Sequence, residues 1–172
     1  MGSGTGLVSA PPLRVKAEVC FAAKLTVDYG RSVEAGIAAG NYGYVNEHIT
    51  AMNFPHRPAL RKGVVKVDLA VVRLNRPAGI FLELFEILEY LEKDPLWDRF
   101  MLSQLPDLLT IGENHPSLQE EFPIWSLGSS WIQGINRFFP VLRFDQRIRG
   151  ITLTPSQRHF SRRSGFLLVE RI

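Results

Sequence analysis

The chain has one cysteine in 172 residues, no apolar run near the length of a membrane span, and no lysine after Phe122. Each shortage narrows the field. A single cysteine cannot form an intrachain disulfide, so a disulfide-stapled secreted scaffold is excluded and a reducing cytoplasm is the simplest setting. Cys20 lies in an alternating strand pattern, where it is expected to serve as a small buried hydrophobe. A membrane-spanning helix needs roughly 20 apolar residues, and nothing in the chain approaches that. The opening MGSGTGLVSAPP lacks the basic start and apolar centre of a signal peptide. Residues 1–12 are therefore expected to be a flexible tail or an appended remnant.

The usual chemical constellations are missing too. The four histidines, His48, His56, His115 and His159, are scattered, and none shares a helical metal-site spacing with another. The segment NEHIT reverses the order of the zinc-protease motif and lacks its second histidine. Ser126, Ser129 and Ser130 surround Gly128, but a nucleophile elbow needs Gly-x-Ser-x-Gly between a strand and a helix. No catalytic residue, metal ligand or cofactor-binding residue is expected from these patterns.

What is present begins with apolar content. Hydrophobic residues make up 45% of the chain, enough for one buried core at this length, so residues 13–172 are expected to form a single domain. Charge is unevenly divided. Met1 to Gly79 carries ten Lys/Arg against five Asp/Glu, Ile80 to Glu121 two against ten, and Phe122 to Ile172 eight against two. An acidic middle between basic ends fits a solvated helical face beside charged strands, or two fields that attract one another in self-association.

Periodicity sorts the elements. Leu13, Val15, Ala17, Val19 and Phe21 alternate with polar residues as a half-buried strand. The pattern is interrupted at Ala22-Ala23, where a bulge or break is expected, and resumes at Leu25, Val27 and Tyr29. Ser32 can cap a short helix to about Ala39, with Gly40 as a left-handed stop. Val65, Val67, Leu69 and Val71 mark a second strand. Ile80 to Lys93 reads as an amphipathic helix, its glutamates opposite a broad apolar face, and Gln104 to Glu113 as another. After Pro123 the segments IWSLGSSW, INRFFPVLRF, RGITLT and GFLLVERI each suit a strand. Helices early and strands late predict an α+β domain: a largely antiparallel sheet with two or three helices packed on one face, the two long helices among them.

The block LQEEFPIWSLGSSW, Leu118 to Trp131, joins the two halves. Pro123 stops the acidic helix, and Trp125 and Trp131 open the strand-rich half as expected core rings. Beyond it there is no lysine, and eight arginines are interleaved with Phe138, Phe139, Phe144 and Phe160. Arginine's planar fork suits phosphate contact and stacking. If this region binds nucleic acid or a partner, Arg147, Arg149, Arg158, Arg162 and Arg163 are the candidate contacts. Three readings stay open. The first is a non-catalytic binding or interaction protein, a homo-oligomer or the binder of another protein. The second is a nucleic-acid-binding protein, and the third an enzyme whose site is assembled from distant residues such as Asp28, Glu47, His48 and His115.

The segments LPDLLTIGENHPSLQEEFPIWSLGSSW and KLTVDYGRSVEAGIAAGNYGYVNEHITAMNFP, with the closing GFLLVERI, resemble blocks of an uncharacterised bacterial protein family. That resemblance implies a protein of unknown function, often encoded among mobile or accessory genes, and carries over no catalytic residue. The order MLSQLPDLLTIG, IWSLGSSW, GFLLVERI is also similar in layout to the C-type-lectin-like fold, although no disulfide or calcium-ligand set accompanies it.

Overall fold

Two long alternating strands start the structure, a computed structural model that describes residues 15–55, 61–156 and 159–172. β1 (Lys16–Asp28) runs antiparallel to β3 (Val64–Asn75), and the register slips between Val19 and Phe21. The strand is continuous and its bulge lies at Cys20, ahead of the expected Ala22-Ala23, which stay in regular register with Ala70 and Leu69. Before it, Val15 and Ala17 join the core layer that holds Leu74 and Ile87. After it, Phe21 and Leu25 join the layer that holds Val67 and Leu108. One extra residue has moved the odd-numbered side chains to the other face. The expected tail over residues 1–12, and the start of the strand at Leu13, fall outside the described residues.

β3 keeps one parity throughout. Val67, Leu69 and Val71 face one layer, while Ala70, Val72 and Leu74 face the other. Its even face starts polar at Lys66 and Asp68, where the Asp68 carboxylate pairs with Lys24 at 3.3 Å and Arg99 at 2.5 Å. That face becomes apolar only where a helix covers it.

The four α-helices among the described residues follow local signals closely. α1 (Val33–Gly40) is capped by Ser32, whose Oγ accepts from the Ala35 amide at 3.1 Å. Its left-handed stop is Asn41, at φ 48°, in place of the expected Gly40. α2 (Leu84–Lys93) starts later than Ile80, because Glu83 and Glu86 form a capping box. α3 (Leu105–Asn114) starts with a similar box from Gln104 and Asp107, and α4 (Leu118–Glu121) is a single turn stopped before Pro123.

The sheet has nine strands among the described residues. Its main path runs β1, β3, β9 (Gly165–Glu170), β5 (Ile124–Trp125), β7 (Asn136–Asp145), β8 (Ile148–Pro155) and β2 (Tyr44–Val45). β4 (Phe100–Leu102) pairs with the C-terminal half of β9, and β6 (Trp131–Gln133) folds onto β7. Six of the eight pairings are antiparallel, and β5–β9 and β2–β8 are parallel. The α+β class and the largely antiparallel sheet are thus as expected. IWSLGSSW, expected as one strand, is two short ones separated by Gly128, which a side chain could not occupy because a Cβ would lie 2.4 Å from the Ser103 carbonyl.

The helices divide between the faces. α1, α3 and α4 share one layer with Val27, Val67 and Leu142, whereas α2 sends Ile87 and Leu91 into the other, against Val72, Trp125 and Phe166. Three helices on one face match the expectation, but the two long helices do not lie together. The reason is in β3, which is apolar and buried on both sides from Leu69 to Val72. A strand buried on both faces needs cover on both, and burying Ile87 and Leu91 supplies about 1.5–3 kcal/mol each. No helix among the described residues is long and apolar enough to cross a membrane.

Candidate anion-binding hollow

The arginines of the C-terminal third separate by where their guanidinium groups point. Arg149, at the start of β8, turns inward. Its Nη1 donates to the Gly40 carbonyl at 2.9 Å, and its Nη2 to the Gly112 carbonyl at 2.7 Å and to Gln119 Oε1 at 3.1 Å. These acceptors lie on α1, α3 and α4, so one side chain ties three helices to the sheet and neutralises two helix C-terminal ends. The guanidinium also lies over the Tyr42 ring, 5.2 Å from its centroid. Gln119, itself buried, completes the clamp by donating to the Arg143 and Gly150 carbonyls.

The clamp explains two glycines. A Cβ on Gly40 would sit 2.3 Å from the Tyr42 ring, and one on Gly112 would sit 1.9 Å from its hydroxyl. The Tyr42 hydroxyl and Arg149 Nε are buried without a partner among the described residues. Burial pushes the Tyr42 hydroxyl up to about 12, with the nearby Arg149 charge pulling partly back.

Arg147 occupies a different kind of place. Asp145 and Ile148 close the β7–β8 hairpin, and the two residues between them, Gln146 and Arg147, have φ of 47° and 64°. A two-residue turn of this hand favours Asn-Gly, so Gln-Arg carries strain. The Arg147 side chain projects from the hairpin tip into solvent. Arg158 lies outside the described residues.

Arg162 and Arg163 come together with a residue from far earlier in the chain. Arg73 and Glu18 are register partners on β3 and β1, so their side chains share a face. The Arg73 guanidinium lies 5.3 Å from the Phe122 ring centroid, a stacking contact that holds it out over the sheet. The loop before β9 brings up Arg162 and Arg163. Ser161 Oγ accepts from the Arg163 amide at 3.3 Å, and Arg163 Nη2 donates to the Glu121 carbonyl at 3.0 Å. Arg73, Arg162, Arg163, Asn75 and Glu18 line an open hollow of about 350 Å³. None of the three arginines makes an ion pair with a described carboxylate.

A second hollow of about 310 Å³ adjoins the first, with Arg163 in the wall of both. There Arg143 and Arg163 meet Glu120, Glu121 and Asp145, so the charge balance changes sign from one hollow to the next. Cys20 is near Arg73 but is not poised to react. Its half-buried thiol donates to the Val71 carbonyl at 3.2 Å, and burial pushes it up while the Arg73 charge only partly offsets this.

The remaining candidates are dispersed. Asp28 accepts from the Gly30 amide at 2.9 Å and lines a groove beside Arg31 and Glu113. His48 stacks on Trp131 with centroids 4.6 Å apart, next to Glu47, and His115 ends α3 with its ring edge-on to Phe21. The structure does not bring Asp28, Glu47, His48 and His115 into one cavity. Ser126 bonds to Ser103, and Ser129 Oγ accepts from the Leu105 amide at 2.8 Å, so both hydroxyls serve the start of α3. Trp125 is core, 4% exposed and 4.6 Å from Phe160. Buried Asp107 accepts from the Tyr29 hydroxyl at 2.5 Å and the Gln104 amide at 2.7 Å. Burial raises both acidic groups above their ordinary ranges, and the hydrogen bonds from the Tyr29 hydroxyl and the Gln104 amide pull Asp107 partly back where the pair holds α3 against the end of β1.

Sequence reasoning named Arg162 and Arg163 but missed Arg73, Asn75 and Glu18. In sequence Arg73 is one polar residue in VVRLN, and only its break in an otherwise apolar run could have marked it. No family model, no curated protein and no solved structure matches the chain.

Proposed function

We propose that the protein is a non-catalytic binding protein that receives an anionic group of its partner in the hollow of Arg73, Arg162 and Arg163. The observation that carries this reading is three guanidinium groups in one open hollow against a single carboxylate, Glu18, with no ion pair taken up among the described residues. Like charges held together repel, and an incoming carboxylate or phosphate relieves that repulsion while receiving forked hydrogen bonds. Two of the three guanidiniums are already oriented, Arg73 by the Phe122 ring and Arg163 by the Glu121 carbonyl. Less conformational freedom is then lost when the anion arrives.

The nucleic-acid reading has weaker support. A strand running from this hollow into the next would bring its following phosphate toward Glu120, Glu121 and Asp145. Arg149, moreover, spends its Nη donors inside the fold. Titration with an aspartate-rich peptide and with single-stranded DNA at two salt concentrations separates the readings. Peptide binding that weakens with salt and disappears in an Arg162→Ala/Arg163→Ala variant supports the proposal. A strong preference for the DNA, with a steep salt slope, would transfer it to nucleic acid. Peptide binding untouched by the double substitution removes the hollow as the site.

A further inference from the structure

Two patches of opposite charge lie on opposite faces of one sheet. On the α2 side, Phe81 and Phe85 are 60% and 63% exposed at the start of the helix. Between Phe81 and Asp98 the chain carries six carboxylates and one lysine. Glu83, Glu89 and Glu92 are exposed around the two rings. An aromatic centre within a charged rim is how protein interfaces are built; Phe81 meets the His159 ring edge-on at 6.5 Å, and both phenyl rings still lie mostly in solvent.

The other field is the arginine hollow. Arg73 and Asn75 belong to the odd face of β3, the face of the α1, α3 and α4 layer, and Phe122 beneath Arg73 is part of that layer. α2 covers the even face, through Ile87 and Leu91 against Val72 and Leu74. One chain thus presents an acidic, aromatic surface on one side and a basic hollow on the other.

We propose that the partner of the hollow is a second copy of this chain, which docks the Phe81, Phe85 and Glu92 face of its α2 there. This rests on the reading of the hollow as a site for anionic groups. Charge complementarity selects the pairing, because α2 against α2 or hollow against hollow would set like charges face to face. Exposed phenyl rings suit a surface of guanidinium groups, which stack on aromatic faces as Arg73 does on Phe122. Since donor and acceptor surfaces occupy opposite faces, the contact is heterologous. An open assembly of any length keeps one free α2 at one end and one free hollow at the other, so growth proceeds head to tail as an open chain or closes into a ring.

Sedimentation velocity across a concentration series tests this, using the intact chain and two variants, Phe85→Ser/Glu92→Arg and Arg162→Glu/Arg163→Glu. All of these positions are at the surface, and circular dichroism checks that both variants fold. The wild-type protein should grow in mass with concentration at low salt and return to monomer at high salt, and each variant alone should associate at least tenfold more weakly. Mixed together, the variants should form a one-to-one complex and nothing larger, because one supplies the intact hollow and the other the intact α2. A wild-type monomer at every concentration, or a mixture that stays unpaired, overturns the proposal. So does association lost in the α2 variant but normal in the hollow variant, which would indicate a symmetric contact. The aspartate-rich peptide separates the two levels of inference. If the α2 variant binds the peptide while the wild-type protein stays monomeric, the anion site stands and self-docking falls. If no variant binds the peptide, both fall.

Discussion

Arg149 sends its guanidinium inward to acceptors on three helices, whereas Arg73, Arg162 and Arg163 turn theirs toward an open hollow. Arg149, Arg162 and Arg163 come from the same arginine-rich third and carry the same sequence signal. What separates them is whether their donors are satisfied within the fold. A buried guanidinium bonded to helix-end carbonyls holds the layers together, and removing it leaves those carbonyls unpaired. A guanidinium facing solvent beside others of its kind adds little to stability and leaves its donors for a ligand.

Substitutions can break this comparison from either side. The largest effect is expected at the clamp, where Arg149→Ala should lower unfolding free energy by about 3 kcal/mol or more, read from urea midpoints, since three buried acceptors lose their donor at once. A loss below about 1 kcal/mol would place Arg149 among the surface arginines.

Next is the tyrosine under the clamp. Its hydroxyl ordinarily ionises near 10 and is pushed up to about 12 in the folded protein, so the neutral form is the one the fold favours. That contribution is fully present below about pH 10 and is lost as pH rises through 12, a change of about 2 to 3 kcal/mol for a two-unit shift. Tyr42→Phe should flatten this alkaline loss in denaturation curves measured at several pH values, and should cost nothing at neutral pH because the hydroxyl has no described partner. An unchanged alkaline slope would assign the effect to Tyr29, whose hydroxyl burial also raises.

Gly112→Ala should cost about 2 kcal/mol, because the new Cβ falls on the Tyr42 hydroxyl and the ring is already held between the helices and Arg149. In the Tyr42→Phe background the cost should shrink, which a double-mutant cycle would measure. A smaller change of opposite sign is expected at the hairpin. Arg147→Gly should raise stability by about 1 kcal/mol by relieving a left-handed backbone, and should leave peptide binding intact. Weaker binding in that variant would bring Arg147 back as a contact.

The smallest stability effect belongs to the hollow itself. Arg162→Ala should change unfolding free energy by no more than about 0.5 kcal/mol while weakening the aspartate-rich peptide. A variant that binds normally but unfolds easily would exchange the roles of the two arginine groups.

The strands and helices were legible because their signals are local. Alternation from Val65 to Val71, the serine before α1 and the glutamates at the start of α2 act over one turn or one pleat, and the structure follows them to within a few residues. β2 and β4 were not foreseen, since two or three residues carry no period, and they form only because β8 and β9 offer free edges. The division of the long helices between faces was hidden for a related reason. LAVV, Leu69 to Val72, is apolar on both parities, and periodicity alone does not say which face another helix will cover.

The sequence by itself determined an α+β chain with an acidic middle, a basic arginine-rich end and strands of defined parity, because composition and short-range periodicity need no partner to be read. Only the tertiary structure decided that Arg149 is spent inside the fold and that Arg73 joins Arg162 and Arg163 at its surface. Each outcome depends on contacts between residues dozens of positions apart, and those are set by how the sheet closes around its two core layers.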